Sequence, residues 1–290
     1  VVRFRRPTPS GNVEDRRTSR GGGGGIPGGG AAAGGIGGII VLVIIVAAAL
    51  MGVDVGPALG GGDQQPSSLA AGEEQALANF SSQVLGDTDA TWSRVFAEEL
   101  GRTYTPPRLV LYTGYVESAC GQASAAVGPF YCPADQTIYL DLEFFHDLDT
   151  RYGASGDFAQ AYVIAHEVGH HVQTLLGTSQ AVSAAQRRAT SQAEANQLSV
   201  ALELQADCYA GIWANRASRD NLILEPGDVE EGLNAASAIG DDRLQQQSQG
   251  YIVPDAFTHG SSAQRVQAFR GGLNTGQLGA CRFAGLPAVA

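Results

Sequence analysis

The sequence predicts an α+β fold: a mainly helical domain with a small β-sheet over residues 73–290, preceded by one transmembrane helix. Three observations predict it. Apolar residues recur at spacings of three and four across residues 157–178 and in several later segments, which marks helices with one buried stripe. Two short runs, residues 108–114 and 137–145, are strand-like; in the second, Ile138, Leu140 and Leu142 alternate with Tyr139, Asp141 and Glu143. Residues 36–53, IGGIIVLVIIVAAALMGV, carry no charge at all.

The hydrophobic fraction of 44% is enough for a sizeable core. Charge is unevenly spread. Residues 1–35 hold six arginines against Glu14 and Asp15, and the net charge of the chain is -11, so the remainder is strongly acidic. That balance argues against nucleic acid as a partner.

Taken in order, residues 1–35 read as a disordered Arg/Gly-rich cytoplasmic tail. Residues 36–53 are long enough to cross a bilayer, and the arginines before them and Asp54 and Asp63 after them orient the span. The expectation is a single-pass protein of the cell membrane, with its N-terminus cytoplasmic and the following domain extracytoplasmic. A cleaved signal peptide is the rival, disfavoured by the long polar stretch that precedes the apolar run. Residues 54–72, rich in Gly, Pro, Ser and Gln, form a linker. Helices follow over 74–85 and 89–100, the second turning Trp92, Val95, Phe96 and Leu100 inward and stopped by Pro106 and Pro107. The two strands flank a turn-rich loop bracketed by Cys120 and Cys132. Asp157 with Gln160 suggests a capping box for the helix over 157–178, and Gly177 its stop. Residues 179–216 make one long helix, or two broken near Arg188. A helix over 228–239 has Asp228, Glu230 and Glu231 in its first turn, where carboxylates suit the dipole. The last helix, over 261–269, is capped by Ser261 or Ser262.

Four cysteines in an exported domain allow three disulfide pairings. Cys120 with Cys132 is preferred because the loop is short, and Cys208 with Cys281 then remains. Cysteine ligation of a metal is disfavoured, since no CxxC spacing occurs.

The chemistry centres on His166-Glu167-Val168-Gly169-His170. On a helix, residues four apart share a face, so both imidazoles can reach one zinc ion, while Glu167 can meet an activated water as general base. A catalytic zinc needs a third protein ligand. Glu203 is the candidate, because Glu203 and Asp207 share one face of a helix on which Ala206 and Ala210 permit close approach. Asp207 would then accept the free ring N–H of a ligand histidine. His146 and His171 read as surface residues. His259, just before the last helix, could donate to an oxyanion, and Arg265 could orient it or pair with a carboxylate.

HEVGHHVQ, ELQADCYAG, CGQASAAVGPFYCPADQTIYLDLEFF and FTHGSSAQR resemble the bacterial putative neutral zinc metallopeptidase family over nearly the whole chain. More distantly, HExxH followed by ExxxD is similar to the gluzincins, including the membrane-bound prenyl-peptide endopeptidases, in which a His and an Arg six apart follow the glutamate. The resemblance implies a zincin-like domain in which His166, His170 and Glu203 bind one zinc ion, Glu167 is the base and Asp207 supports a histidine. It gives His259 and Arg265 roles beside them. No later membrane span follows the first, so intramembrane proteolysis is not implied. The expected reaction is hydrolysis of a peptide bond in a peptide or protein substrate laid along residues 137–145 as an edge strand. Two alternatives are a membrane-anchored zinc-binding scaffold with a non-catalytic metal, and amide hydrolysis on a cell-wall peptide.

Overall fold

The computed structural model describes residues 2–17, 67, 69–124 and 127–288. Among them are eight α-helices and a small mixed sheet. The sheet runs in the order β2 (Val13–Asp15), β3 (Arg108–Tyr112), β7 (Thr137–Asp141), β6 (Phe130–Cys132), with β6 antiparallel and the other three parallel. Its alternation is legible on both faces. Leu109, Leu111, Ile138 and Leu140 join the main core with the helices. Val110, Tyr112, Phe130 and Tyr139 form a second core with Val116 and Ala123, from the hairpin of β4 (Tyr115–Ser118) and β5 (Gly121–Ser124).

This topology corrects the edge-strand expectation: β7 is flanked by β3 and β6, so its backbone is already paired on both sides and cannot take a substrate strand. The strand also ends at Asp141, and Glu143–Thr150 form helix α2. Exposed His146 lies on that helix rather than behind a strand.

Residues 2–17 are a second correction. They are not a disordered tail. β1 (Arg3–Phe4) pairs with β8 (Leu222–Ile223), and β2 lies parallel to β3 with Val13 opposite Leu109. Between the two strands, Ser10 N–H donates to Ser82 O at 3.0 Å, and Asn221 binds both the N–H and the C=O of Arg6. The charges that suggest disorder are largely paired locally, Arg16 with Glu14 and Arg17 with Asp15. Tertiary strand pairing, invisible to composition, satisfies this backbone. The segment also explains why helix α1 (Ala71–Val95) runs unbroken where two helices were expected. Gly86 permits a close approach of the N-terminal segment, because a Cβ on it would lie 1.9 Å from Thr8 O. A π-helical turn, Phe96–Leu100, closes the element.

Among the described residues no helix is long and apolar enough to cross a membrane, and residues 36–53 lie outside the described residues. The paired strands nevertheless bear on topology. β2 shares a sheet with β3, so residues 13–15 and the body that follows residue 69 lie on the same side of any bilayer. One crossing between them cannot leave the N-terminus cytoplasmic and the domain outside, and that arrangement is withdrawn.

The remaining helices are α3 (Asp157–Leu175), α4 (Thr178–Gln186), α5 (Gln192–Asp220), α6 (Asp228–Ala238), α7 (Asp241–Gln249) and α8 (Ser262–Thr275). The break between α4 and α5 falls near Arg188, and Gly177 adopts a left-handed φ of 80° between α3 and α4, both as the sequence suggests. The capping box proposed for α3 is absent. Its N-cap is Gly156, and the Phe158 N–H is met instead by Glu231 from α6, at 3.0 Å. Ser261 does build a capping box, with Gln264, at the head of α8. Both preferred disulfides are present, Cys120–Cys132 and Cys208–Cys281, with Cα separations of 5.8 and 5.6 Å. The second ties α5 to the chain beyond α8.

Candidate metal centre

Helix α3 crosses α5 where Gly169 meets Ala206. A Cβ on Gly169 would lie 2.9 Å from Ala206 O and 3.0 Å from its Cα, so the second variable position of the motif is small because another backbone passes there. The crossing brings Glu203 over the histidines. Its Oε2 lies 3.2 Å from His166 Nε2 and its Oε1 3.4 Å from His170 Nε2, one carboxylate oxygen for each imidazole. The nearest ligand atoms of the three residues all fall within 4.8 Å of one another. Two imidazoles and one carboxylate converging at that spacing fit a tetrahedral zinc site with a fourth position for solvent or substrate.

Each imidazole is steered through its other nitrogen. His166 Nδ1 lies 2.8 Å from Asp207 Oδ1. Arg265, only 2% exposed, grips both Asp207 oxygens at 2.8 and 2.9 Å, and Tyr162 O–H donates to Oδ1 as well. Arg265 therefore takes the carboxylate alternative rather than orienting His259. His170 Nδ1 faces Gln173 Oε1 at 2.9 Å, while Gln173 Nε2 donates to Leu202 O and to Gln205 Oε1. Sequence reasoning missed Gln173, although a glutamine three residues after His170 lies on the same side of the helix.

Electrostatics follow from burial and partners. Burial lowers the His166 imidazole, but the carboxylates of Asp207 and Glu203 outweigh it and raise its pKa to about 10. His170 is raised too, since Glu203 overcomes its burial. In the other sense, burial would raise Glu203, yet His170 and His166 hold it well below the usual range. Burial would also raise Asp207, but Arg265 and His166 bring it to about 2. Glu167 differs. Burial raises its carboxyl, and the pull of the two imidazoles does not overcome that.

His259 precedes Gly260, which lies against Val200 and Leu204 next to Glu203, and the Glu203 carboxylate contributes to raising its imidazole. The group that orients it is Asp241, which sequence reasoning did not find. Asp241 Oδ1 lies 3.1 Å from His259 Nδ1, and Oδ2 accepts the backbone N–H groups of Thr258, His259 and Gly260 at 2.6, 2.6 and 3.0 Å. Burial opposes the charged form of His259, but Asp241 outweighs it and raises the imidazole. His171 is a correction: it is wholly buried rather than at the surface. Its Nε2–H donates to Thr105 O at 2.6 Å, which leaves Nδ1 to accept the Tyr131 O–H at 3.0 Å. Asp157, Asp228 and Glu231 form another acidic group, but Glu231 caps α3 and Asp228 accepts from Glu225 N–H.

A family model described as "Putative neutral zinc metallopeptidase" matches residues 2–283. The chain is 48% identical over 287 residues to "Uncharacterized protein YpfJ" of Escherichia coli strain K12, covering 98% of this chain and 99% of that protein. It is 46% identical over 203 residues to "Uncharacterized protein Rv2575" of Mycobacterium tuberculosis strain H37Rv, covering 67% of this chain and 66% of that protein. No solved structure matches.

Proposed function

Because the chain belongs to the putative neutral zinc metallopeptidase family, we propose that it is a zinc-dependent peptidase, in which His166, His170 and Glu203 hold one zinc ion and Glu167 is the general base. The observation that carries this reading is the Glu203 carboxylate, with one oxygen facing each imidazole Nε2 at 3.2 and 3.4 Å. The chemistry a zinc ion supplies when bound at such a site is polarisation of a carbonyl and activation of water near neutral pH.

The chain's own residues supply the rest. Asp207 receives the Nδ1–H of His166 and so presents Nε2 to the centre, and Gln173 does the same for His170. Glu167, whose carboxyl is raised by burial, is suited to take a proton from the attacking water and return it to the leaving amine. His259, held by Asp241 through Nδ1 and favoured in its charged form, keeps Nε2 to donate to the oxyanion of the tetrahedral intermediate. The substrate is a peptide or protein, and the two disulfides support an extracytoplasmic site of action.

The test is Glu167→Gln. The variant should bind zinc stoichiometrically and lose at least ~100-fold in peptide hydrolysis, with parental activity abolished by a chelator and restored by zinc. A Glu167→Gln protein that cleaves at the parental rate refutes the mechanism. Comparing protein termini in cells carrying each form then identifies substrates.

A further inference from the structure

Among the described residues, the large hydrophobic side chains left exposed are Tyr251, Ile252 and Val253, at 60%, 46% and 39%. Single exposed apolar residues are ordinary, but three in succession on one loop mark a contact surface. This loop is tied down. Val253 N–H donates to Gln245 Oε1 at 2.8 Å, and Gln249 Nε2 donates to Tyr251 O at 3.1 Å. Just beyond, Asp255 O accepts from Asn196 Nδ2 at 2.8 Å.

Asn196 relates the patch to the metal centre. It lies on α5 two turns before Glu203, so both residues share one face of the helix, about 10 Å apart along its axis. From Asp255 the chain continues beside that helix. A Cβ on Gly260 would lie 3.2 Å from Val200 and 3.3 Å from Leu204, the residue after Glu203. Residues 253–260 therefore form a wall along the face of α5 that carries Glu203, with the centre at one end and the apolar loop at the other.

We propose that Tyr251, Ile252 and Val253 form a specificity subsite for an apolar side chain of an extended peptide substrate, three or more residues from the scissile bond. This rests on the peptidase reading above. The ~10 Å separates Glu203 from Asn196, which holds Asp255, and the apolar loop lies past Asp255; an extended chain advances about 3.3 Å per residue, so the subsite is three or more residues away. None of the three side chains is charged, and their backbone is held by Gln245 and Gln249, so an aliphatic or aromatic substrate residue gains burial with little ordering cost.

The experiment uses the full zinc-loaded chain and an internally quenched peptide library randomised one position at a time. It compares the parent with Tyr251→Ser/Ile252→Ser, whose exposed sites leave the fold and zinc stoichiometry unchanged. The parent should prefer Leu, Ile, Val or Phe at one position three or more residues from the cut. The variant should lose about tenfold of that preference through KM, with kcat unchanged. A parent without such a preference, or a variant with the parental profile, overturns the subsite. So does a variant that keeps the profile while losing self-association in light scattering, or losing binding to phosphatidylcholine–phosphatidylglycerol vesicles. If the zinc-loaded parent cleaves no library member, the peptidase reading itself fails and the subsite with it. An active parent without the preference removes the subsite alone.

Discussion

Arg265→Met isolates the support beneath the metal centre. Arg265 and Asp207 are 2% and 0% exposed, and the guanidinium donates to both Asp207 oxygens at 2.8 and 2.9 Å and to Ile239 O at 3.2 Å. Methionine fills the volume but leaves a buried carboxylate without its permanent cation, a change that typically costs ~3–5 kcal/mol. The Asp207 carboxyl itself gives an independent figure. Its fall from 3.8 to about 2 corresponds to ~2–3 kcal/mol of native-state stabilisation, and Arg265 is the largest cause opposing burial. The sign is that of a depressed carboxylate: the contribution is present above pH 3.8 and is lost as pH falls through about 2. Arg265→Met should thus be destabilised by ~3 kcal/mol in urea unfolding at pH 7, with its acid limb moved to higher pH. Adding Asp207→Asn should recover part of the loss, a coupling well beyond the ~0.5 kcal/mol seen between independent sites. An Arg265→Met protein within ~1 kcal/mol of the parent, or an additive double mutant, would refute the claim that the pair acts as a unit.

Zinc binding at pH 7 should release protons, because the His166 imidazole, raised to about 10 by its carboxylate partners, must be neutral to ligate, and Glu203 raises His170 in the same sense; calorimetry in buffers of different ionisation enthalpy measures it. Gly169→Val should lower zinc affinity and cost ~1–3 kcal/mol in urea unfolding, since the added carbons meet the Ala206 backbone. Burial raises Asp89, beside Ser10 of the N-terminal segment, to about 7, so the fold loses stability as pH rises from 3.8 towards 7; Asp89→Asn should flatten that slope by ~2–4 kcal/mol in unfolding at several pH values. A cysteine at Gly11 and one at Arg188 should be labelled alike by a membrane-impermeant maleimide in intact cells, since β2 and the body share one side; opposite labelling would refute the strand pairing.

The sequence made the candidate site legible wherever its geometry is local to a helix. His166 and His170, like Glu203 and Asp207, are four apart, and the spacing alone puts each pair on one face. Gly169 and Ala206 signal how closely those faces approach. What stayed hidden depends on contacts between distant segments. Asp241 meets His259 only after the chain turns through α7, and nothing local distinguishes it from the acids around it. β2 finds β3 more than ninety residues later in a parallel ladder, so its Arg-rich composition misled. His171 was read as exposed because it lies off the ligand face. Yet Ala159, Val163 and Ile164 also lie off the expected stripe, and a helix apolar on every side is a buried one.

The charges around the centre give a reason for the metal independent of the motif. Glu167, Glu203 and Asp207 bring three carboxylates into one buried region, and Arg265 brings one permanent cation. With neutral imidazoles that leaves two negative charges in a low-dielectric setting, an imbalance a fold does not sustain cheaply. The raised pKa values of His166 and His170 are one answer to it, since a protonated imidazole offsets a carboxylate. A divalent cation is the other answer, since it supplies the same two charges and accepts the lone pairs those protons occupy. His259 and Asp241 balance each other and leave the sum unchanged. A purely structural cluster would more simply replace Glu167 with an apolar residue, because Glu167 accepts no hydrogen bond from the histidines it flanks and adds a charge that must be offset. Its place beside three residues whose ligand atoms fit a dication accords with the peptidase reading proposed above.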